Sequence, residues 1–175
     1  MSKLAKKPIN LKDITHKYDN KTFTVNGKHG ELSITIPDEV NLVISEDSEL
    51  FVESKSSSYQ GLYFSLIKNM IIGVTDLFSI TLTLTGVGYR ATLSDKTINL
   101  NLGYSHPVSY QLDDLVNVKI VSPTEILLQS CDKQLLGQTA ANIIKLRPAK
   151  KDPYKFKGIK RTTDRILKKV GKKVK

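Results

Sequence analysis

A chain of 175 residues is one ordinary domain or two small ones, and its 39% hydrophobic content is enough for a packed core, which excludes a fully disordered protein. The net charge of +10 points to a polyanionic partner, and the single cysteine, Cys131, excludes an intramolecular disulfide and a cysteine metal cluster. No run approaches the ~20 apolar residues that span a bilayer, and the N-terminal MSKLAKKPINLK lacks the apolar core of a secretory signal, so no membrane is expected as a partner. Cys131 itself, close to Leu127 and Leu128, reads as a small core residue.

The first part of the chain alternates. FTVNGKHGELSITIP puts Phe23 and Val25, then Leu32, Ile34 and Ile36, on one face, with Asn26-Gly27 and His29-Gly30 between them, so a hairpin is predicted over 23–37. VNLVIS and ELFVES predict two more strands around the turn Glu46-Asp47-Ser48. The period then changes. Leu62, Tyr63, Leu66, Ile67, Met70 and Ile71 fall on one helical face that should end near Gly73, and Lys55 to Ser58 should supply the N-cap.

The second part repeats this plan. Sliding the chain so that Val40 meets Val116 also aligns Asn41 with Asn117, Ile44 with Ile120, Ser54 with Ser130, Gly61 with Gly137 and Ile67 with Ile143, without a gap. Leu135, Leu136, Thr139, Ala140, Ile143 and Ile144 repeat the helical face, and Ile98, Leu100 and Leu102 repeat the hairpin alternation. The expected fold class is therefore α+β, with two tandem duplicated modules. Each is a small, mostly antiparallel sheet carrying one packed helix. The expected boundaries are 1–79, 80–148 and a basic C-terminal extension over 149–175.

GVGYRA, after the strand-like TLTLT, has the outline of a dinucleotide-binding turn. That turn must open a helix whose N-terminus faces a pyrophosphate. The residues that follow, ATLSDKTINLNLG, alternate instead and contain the turn Ser94-Asp95-Lys96. Gly86 and Gly88 are accordingly expected to mark a bulge or a close backbone contact in a sheet. No G-K-[ST] and no H-E-x-x-H occurs, and His16, His29 and His106 are scattered. Asp113-Asp114 reads as a solvated turn. No cofactor, metal or catalytic residue is nominated, and an enzyme is not expected.

The charge sits at one end. Lys145 to Lys175 holds fourteen Lys or Arg against Asp152 and Asp164, so this segment carries +12 and the rest of the chain −2. Such asymmetry fits nucleic acid or an anionic surface. Arg147, Arg161 and Arg165 can fork onto phosphates, whereas Lys145, Lys150, Lys151, Lys155, Lys157, Lys160, Lys172 and Lys173 are flexible point charges. Tyr154, Phe156 and Gly158 interleave with them, and a small residue lets a phosphate backbone come close. Pro148 and Pro153 are expected to keep the first part extended. Thr163-Asp164 is expected to cap a short amphipathic helix through Ile166, Leu167 and Val170. On this reading, deleting Lys150 to Lys175 removes most RNA affinity and leaves both modules folded.

GVGYRA followed by LNLGYSHPV, then DKQLLGQTAANIIKLRP and PYKFKGI, closely resembles the large-subunit ribosomal protein L-six family of bacterial type, and MSKLAKKPI and LIKNMIIGVT fit the same pattern. The match covers nearly the whole chain. The resemblance implies two duplicated α+β modules and an assembly role in translation. In that role the chain would bind large-subunit rRNA near the sarcin–ricin region and the base of the factor-binding stalk. Its partners would be that rRNA and neighbouring ribosomal proteins, with translational GTPases nearby. It places RNA contacts on Lys155, Lys157, Gly158 and Ile159, and secondary ones at Gly103, Tyr104, Ser105 and His106. Three positions depart from the family: Phe156 stands for a glycine, Phe64 for a common arginine and Asn10-Leu11 for Ile-Pro. This drift, rich in Asn, Ile and Lys, resembles an organellar version, with a mitochondrial matrix as the expected compartment and bacterial cytoplasm as the alternative. A free-standing nucleic-acid or anionic-surface binder is the alternative function.

Overall fold

The computed structural model describes residues 7–11, 14–45, 48–165, 167 and 169. The chain divides into two compact units with the change between Phe78 and Ser79, residues 131–133 counting with the first. Both units are α+β, built from small antiparallel sheets and one helix each.

In the first unit β1 (Ile9–Asn10), β2 (Thr15–Asp19), β3 (Thr22–Gly27), β4 (Gly30–Thr35), β5 (Val40–Ile44) and β6 (Glu49–Ser54) precede α1 (Ser57–Thr75). They form two three-stranded sheets, β2-β3-β4 and β1-β6-β5. The predicted hairpin closes with Gly27 opposite Gly30, and the predicted pair with Val40 opposite Ser54. Alternation does its expected work on β3 and β6, where Phe23, Val25, Leu50 and Val52 are buried beneath the helix residues Ile67, Ile71 and Val74.

The helix departs from expectation in two ways. Its buried face runs through Phe64, Ile67, Ile71 and Val74, while Leu62 is 48% exposed. Helix residues 62–72 are apolar on nearly every side, so periodicity alone left the facing ambiguous and Phe64 outside the expected face. The helix also continues past Gly73. Asp76 N–H donates to the Ile72 carbonyl, Thr75 Oγ1 donates to the Ile71 carbonyl, and the fully buried Val74 holds the last turn down. At the other end Ser56 occupies the N-cap position without a side-chain cap; its own N–H donates to Ser54 Oγ.

The second unit holds β7 (Phe78–Thr85), β8 (Arg90–Ser94), β9 (Thr97–Asn101), β10 (Val108–Gln111), β11 (Val116–Ser122), β12 (Glu125–Ser130), α2 (Lys133–Leu146) and β13 (Gly158–Arg161). Its sheets are β8-β9-β10 and β11-β12-β7-β13. The repeat read in the sequence is a repeat of registers. Val40 faces Ser54 and Val116 faces Ser130; Leu42 faces Val52 and Val118 faces Leu128, each pair displaced by the same 76 residues. The helix starts, Ser57 and Lys133, carry that displacement too. Leu136, Thr139, Ala140 and Ile143 form the buried face of α2.

Residues 149–161 are not an appendage to this unit. β13 pairs antiparallel with β7, Ile159 opposite Leu84, and Ile159 and Ala149 are each 1% exposed. A deletion from Lys150 onward would remove a strand of this sheet, so the expectation that both modules stay folded without it meets a structural cost in the second. The run of cations hid the strand, because a four-residue strand offers only one core-facing aliphatic side chain to read.

Candidate nucleic-acid interface

The glycines of GVGY lie in the turn between β7 and β8, outside either strand, so no sheet bulge is formed there. β8 follows directly, where a dinucleotide site would need a helix. Gly88 takes φ +75°, a backbone that favours glycine. Gly86 provides closeness: a Cβ there would sit 2.8 Å from the ring of Tyr89, which folds back over the turn and is 6% exposed. The close contact that was expected with a backbone is made by this ring.

The same ring meets the second glycine motif. β9 and β10 are joined by a loop, Leu102 to Pro107, in which Gly103 takes φ +72° and a Cβ would lie 3.1 Å from Tyr89 Cε1. Tyr104 turns its hydroxyl onto the Leu146 carbonyl at the end of α2, donating at 3.0 Å. Ser105 and His106 are exposed, with Ser105 Oγ 3.4 Å from His106 Nδ1. An open groove lined by Arg90, Thr92, Asn99, Asn101, Tyr104 and His106 runs beside this loop.

After α2 the chain turns sharply. Pro148 and Pro153 do not keep it extended; Ala149–Lys151 form one turn of 3-10 helix, closed by Lys151 N–H on the Pro148 carbonyl and Asp152 N–H on the Ala149 carbonyl. Pro148 supplies the turn's first acceptor and needs no donor of its own. Asp152 then organises the next turn, its Oδ1 accepting from the N–H groups of Tyr154 and Lys155 at 3.1 Å each. The Lys155 hydrogen bond is the main reason that the Asp152 carboxyl titrates below the usual carboxylate range; the Tyr154 and Lys157 N–H groups and the Lys157 charge act the same way against a desolvation that raises it. Phe156 follows at φ +53°, the left-handed region that a glycine occupies without the ~1–2 kcal/mol cost of a Cβ. The turn is thus the one a glycine would make, with a half-buried phenyl added. Gly158, buried at φ +146°, lets the chain cross itself, since a Cβ would meet Ala149 N and the Arg147 carbonyl at 2.6 Å.

This path sorts the predicted site residues. Lys145, Lys150, Lys151, Tyr154, Lys155 and Lys157 are exposed, and Lys160 and Arg161 are partly exposed on β13. Gly158 serves the chain crossing, and Ile159 is core. Arg147 is half-buried and faces inward, with its guanidinium carbon 4.7 Å from the Tyr104 ring centre and 5.5 Å from that of Tyr89; its Nη1 donates to the Leu102 carbonyl at 2.7 Å. The primary segment and the secondary GYSH loop therefore meet around one side chain. Tyr89 and Asp152 went unread in the sequence. Tyr89 sits inside a motif that was singled out for its glycines, and an Asp before Pro is an ordinary turn signal. Lys172 and Lys173 lie outside the described residues, as do Ile166 and Val170 of the expected terminal helix; Leu167 is 82% exposed. Among the described residues no group of His, Cys, Asp and Glu is assembled for a metal, and no helix is long and apolar enough to cross a membrane.

The sequence profile of the family described as Ribosomal protein L6 matches residues 85–162, from the end of β7 through β13. Over nearly the full length the chain is similar to Large ribosomal subunit protein uL6 of Desulfosudis oleivorans, 44% identical with 98% of this chain and 99% of that protein covered. The chain belongs to the ribosomal protein L6 family. Large ribosomal subunit protein uL6c of Phaeodactylum tricornutum is 41% identical with both chains covered in full, and uL6 of Shewanella halifaxensis is 42% identical over 99% of each. The family profile spans the GVGY turn, the GYSH loop and β13 together, which are the parts that Arg147 joins.

Proposed function

We propose that the second module holds large-subunit rRNA near the sarcin–ricin region and the base of the factor-binding stalk, with translational GTPases working nearby. As a member of the ribosomal protein L6 family, the chain is a structural, non-enzymatic component of the large ribosomal subunit. The observation that carries the RNA reading is the set of exposed cations, Lys145, Lys150, Lys151, Lys155 and Lys157, on a segment that the fold clamps at both ends, by α2 and by β13. Fixed turns hold these charges in register, so phosphate contacts carry less ordering cost than they would from a free tail. Lys160 and Arg161 extend the same basic surface in this reading, Lys172 and Lys173 add charge from outside the described residues, and Tyr104, Ser105 and His106 provide the secondary contact. Mitochondrial placement rests on the Asn-, Ile- and Lys-rich drift alone, and fractionation of the source cells tests it.

The test is binding of the full chain to a fragment of large-subunit rRNA across a salt series, with an unrelated hairpin as competitor. The expected result is affinity that falls steeply with salt and survives the competitor. Equal displacement by the unrelated hairpin would replace this reading with a general polyanion binder. Co-sedimentation with large subunits at moderate salt separates the two again.

A further inference from the structure

Arg147 was expected to grip phosphate, and its surroundings argue otherwise. Its guanidinium lies over Tyr104 and over Tyr89, at 4.7 and 5.5 Å from the ring centres. One edge donates to the Leu102 carbonyl at the start of the GYSH loop. Its backbone carbonyl accepts from Ile159 N–H at 2.7 Å, and Pro148 and Ile159 form a parallel bridge beside it. The ion pairs among the described residues, Lys21–Asp38 and Lys96–Asp114, do not involve it. Aromatic faces and a carbonyl are thus its described partners, an environment that suits a weakly hydrated planar cation.

Resting on the RNA-binding reading above, we infer that Arg147 is a positioning residue, whose side chain locks the GYSH loop and whose backbone locks β13, so that the two RNA-facing elements form one rigid surface. Three details make the lock specific. Gly103 takes φ +72° and an added Cβ there would lie 3.1 Å from Tyr89 Cε1, and at Gly158 an added Cβ would meet the Arg147 carbonyl oxygen at 2.6 Å. Tyr104 is tied at its far end by the Leu146 carbonyl. Lysine keeps the charge at position 147 but has neither the flat face to lie over two rings nor a donor fork to hold Leu102.

The experiment compares wild type, Arg147→Lys, Arg147→Gln, Tyr104→Leu and the double variant of Arg147→Lys with Tyr104→Leu, each confirmed folded by circular dichroism. Affinity for the rRNA fragment and its salt slope are measured, together with hydrogen exchange of the free proteins. Positioning predicts roughly a tenfold loss for Arg147→Lys, an unchanged salt slope, a similar loss for Tyr104→Leu, and a double variant no worse than the poorer single one. It also predicts faster exchange at residues 103–106 and at Ile159 in Arg147→Lys without RNA. Full affinity in Arg147→Lys, with a slope shallower by about one in Arg147→Gln, would make Arg147 a direct phosphate ligand and overturn the inference. Additive losses would overturn it too, because independent contacts add. If wild type fails to bind the RNA, the RNA reading falls, and the exchange data alone still decide the positioning role.

Discussion

The two modules close the same helix end by different means. In the first, β3 and β4 meet in a tight turn, and His29 N–H donates to the Val74 carbonyl at 3.1 Å, while Gly27 lies so close that a Cβ would sit 2.8 Å from Val74 O. In the second, the matching connection between β9 and β10 opens into the Leu102–Pro107 loop, and the Tyr104 hydroxyl caps Leu146 in its place. A helix leaves its last carbonyls without partners, so some donor must arrive from outside. A backbone donor binds the first connection tightly to its own helix. A side-chain donor ties the second to its helix end through Tyr104, and Ser105 and His106 are exposed. The second module also replaces the last turn of its helix with Pro148 and a returning strand, and no strand takes that place among the described residues of the first. The duplicated modules share their strand registers, and they differ at the connections.

The largest effect should come from breaking the one strand that lacks a counterpart. Deleting residues 150–175 removes β13 and the buried Ile159, at a cost of about 3–5 kcal/mol or more to the second module. Hydrogen exchange should show protection lost in β7, β11 and β12 while β3 and β6 keep theirs. Next, Ile67→Ala and Ile143→Ala, 76 residues apart and both fully buried, should each cost about 2–5 kcal/mol. Denaturant unfolding followed by exchange should assign each loss to its own module. Equal destabilisation of both modules by either substitution would show a single cooperative unit.

Glycines sharpen the contrast further. Gly158→Ala must push backbone atoms apart on top of its φ strain and should cost several kcal/mol, whereas Gly30→Ala, with φ +135° but open space around it, should cost only the backbone strain, about 1–3 kcal/mol. Thermal melts of the two variants would measure the difference. The smallest effect concerns acid. Because Asp152 titrates below its unfolded value, its stabilisation is present above the ordinary carboxylate pKa of about 4 and fades as the pH falls through the lowered one. Asp152→Asn should therefore flatten the acid limb of the second module's stability curve. An unchanged limb in a pH series of urea melts would remove Asp152 from the account.

Most of the frame could be read from residues because it is local and periodic. The strands around Val40 and Val116, their 76-residue displacement and the face of α2 follow from alternation and spacing. What stayed hidden depends on distance along the chain. The contacts of Arg147 stayed hidden because nothing near it in sequence announces Tyr89 or Leu102. Phe64 was left out of the helix face because an all-round apolar helix carries no facing signal. β13 was masked by its charges, and Asp152 by its resemblance to any other turn.

The position of β13 in chain order has a consequence for how the protein is made. The described strands of the first module and its helix lie within residues 9–75, so that module can fold as soon as it emerges. The second cannot finish its sheet until Gly158–Arg161 reach Thr85–Leu82, a closure across more than seventy residues that follows every other described strand. Until then the Leu84 edge of β7 stays open and the basic segment is untethered. The turns that carry Lys150, Lys151, Lys155 and Lys157 are therefore held at both ends only after every other described strand of the module has been made.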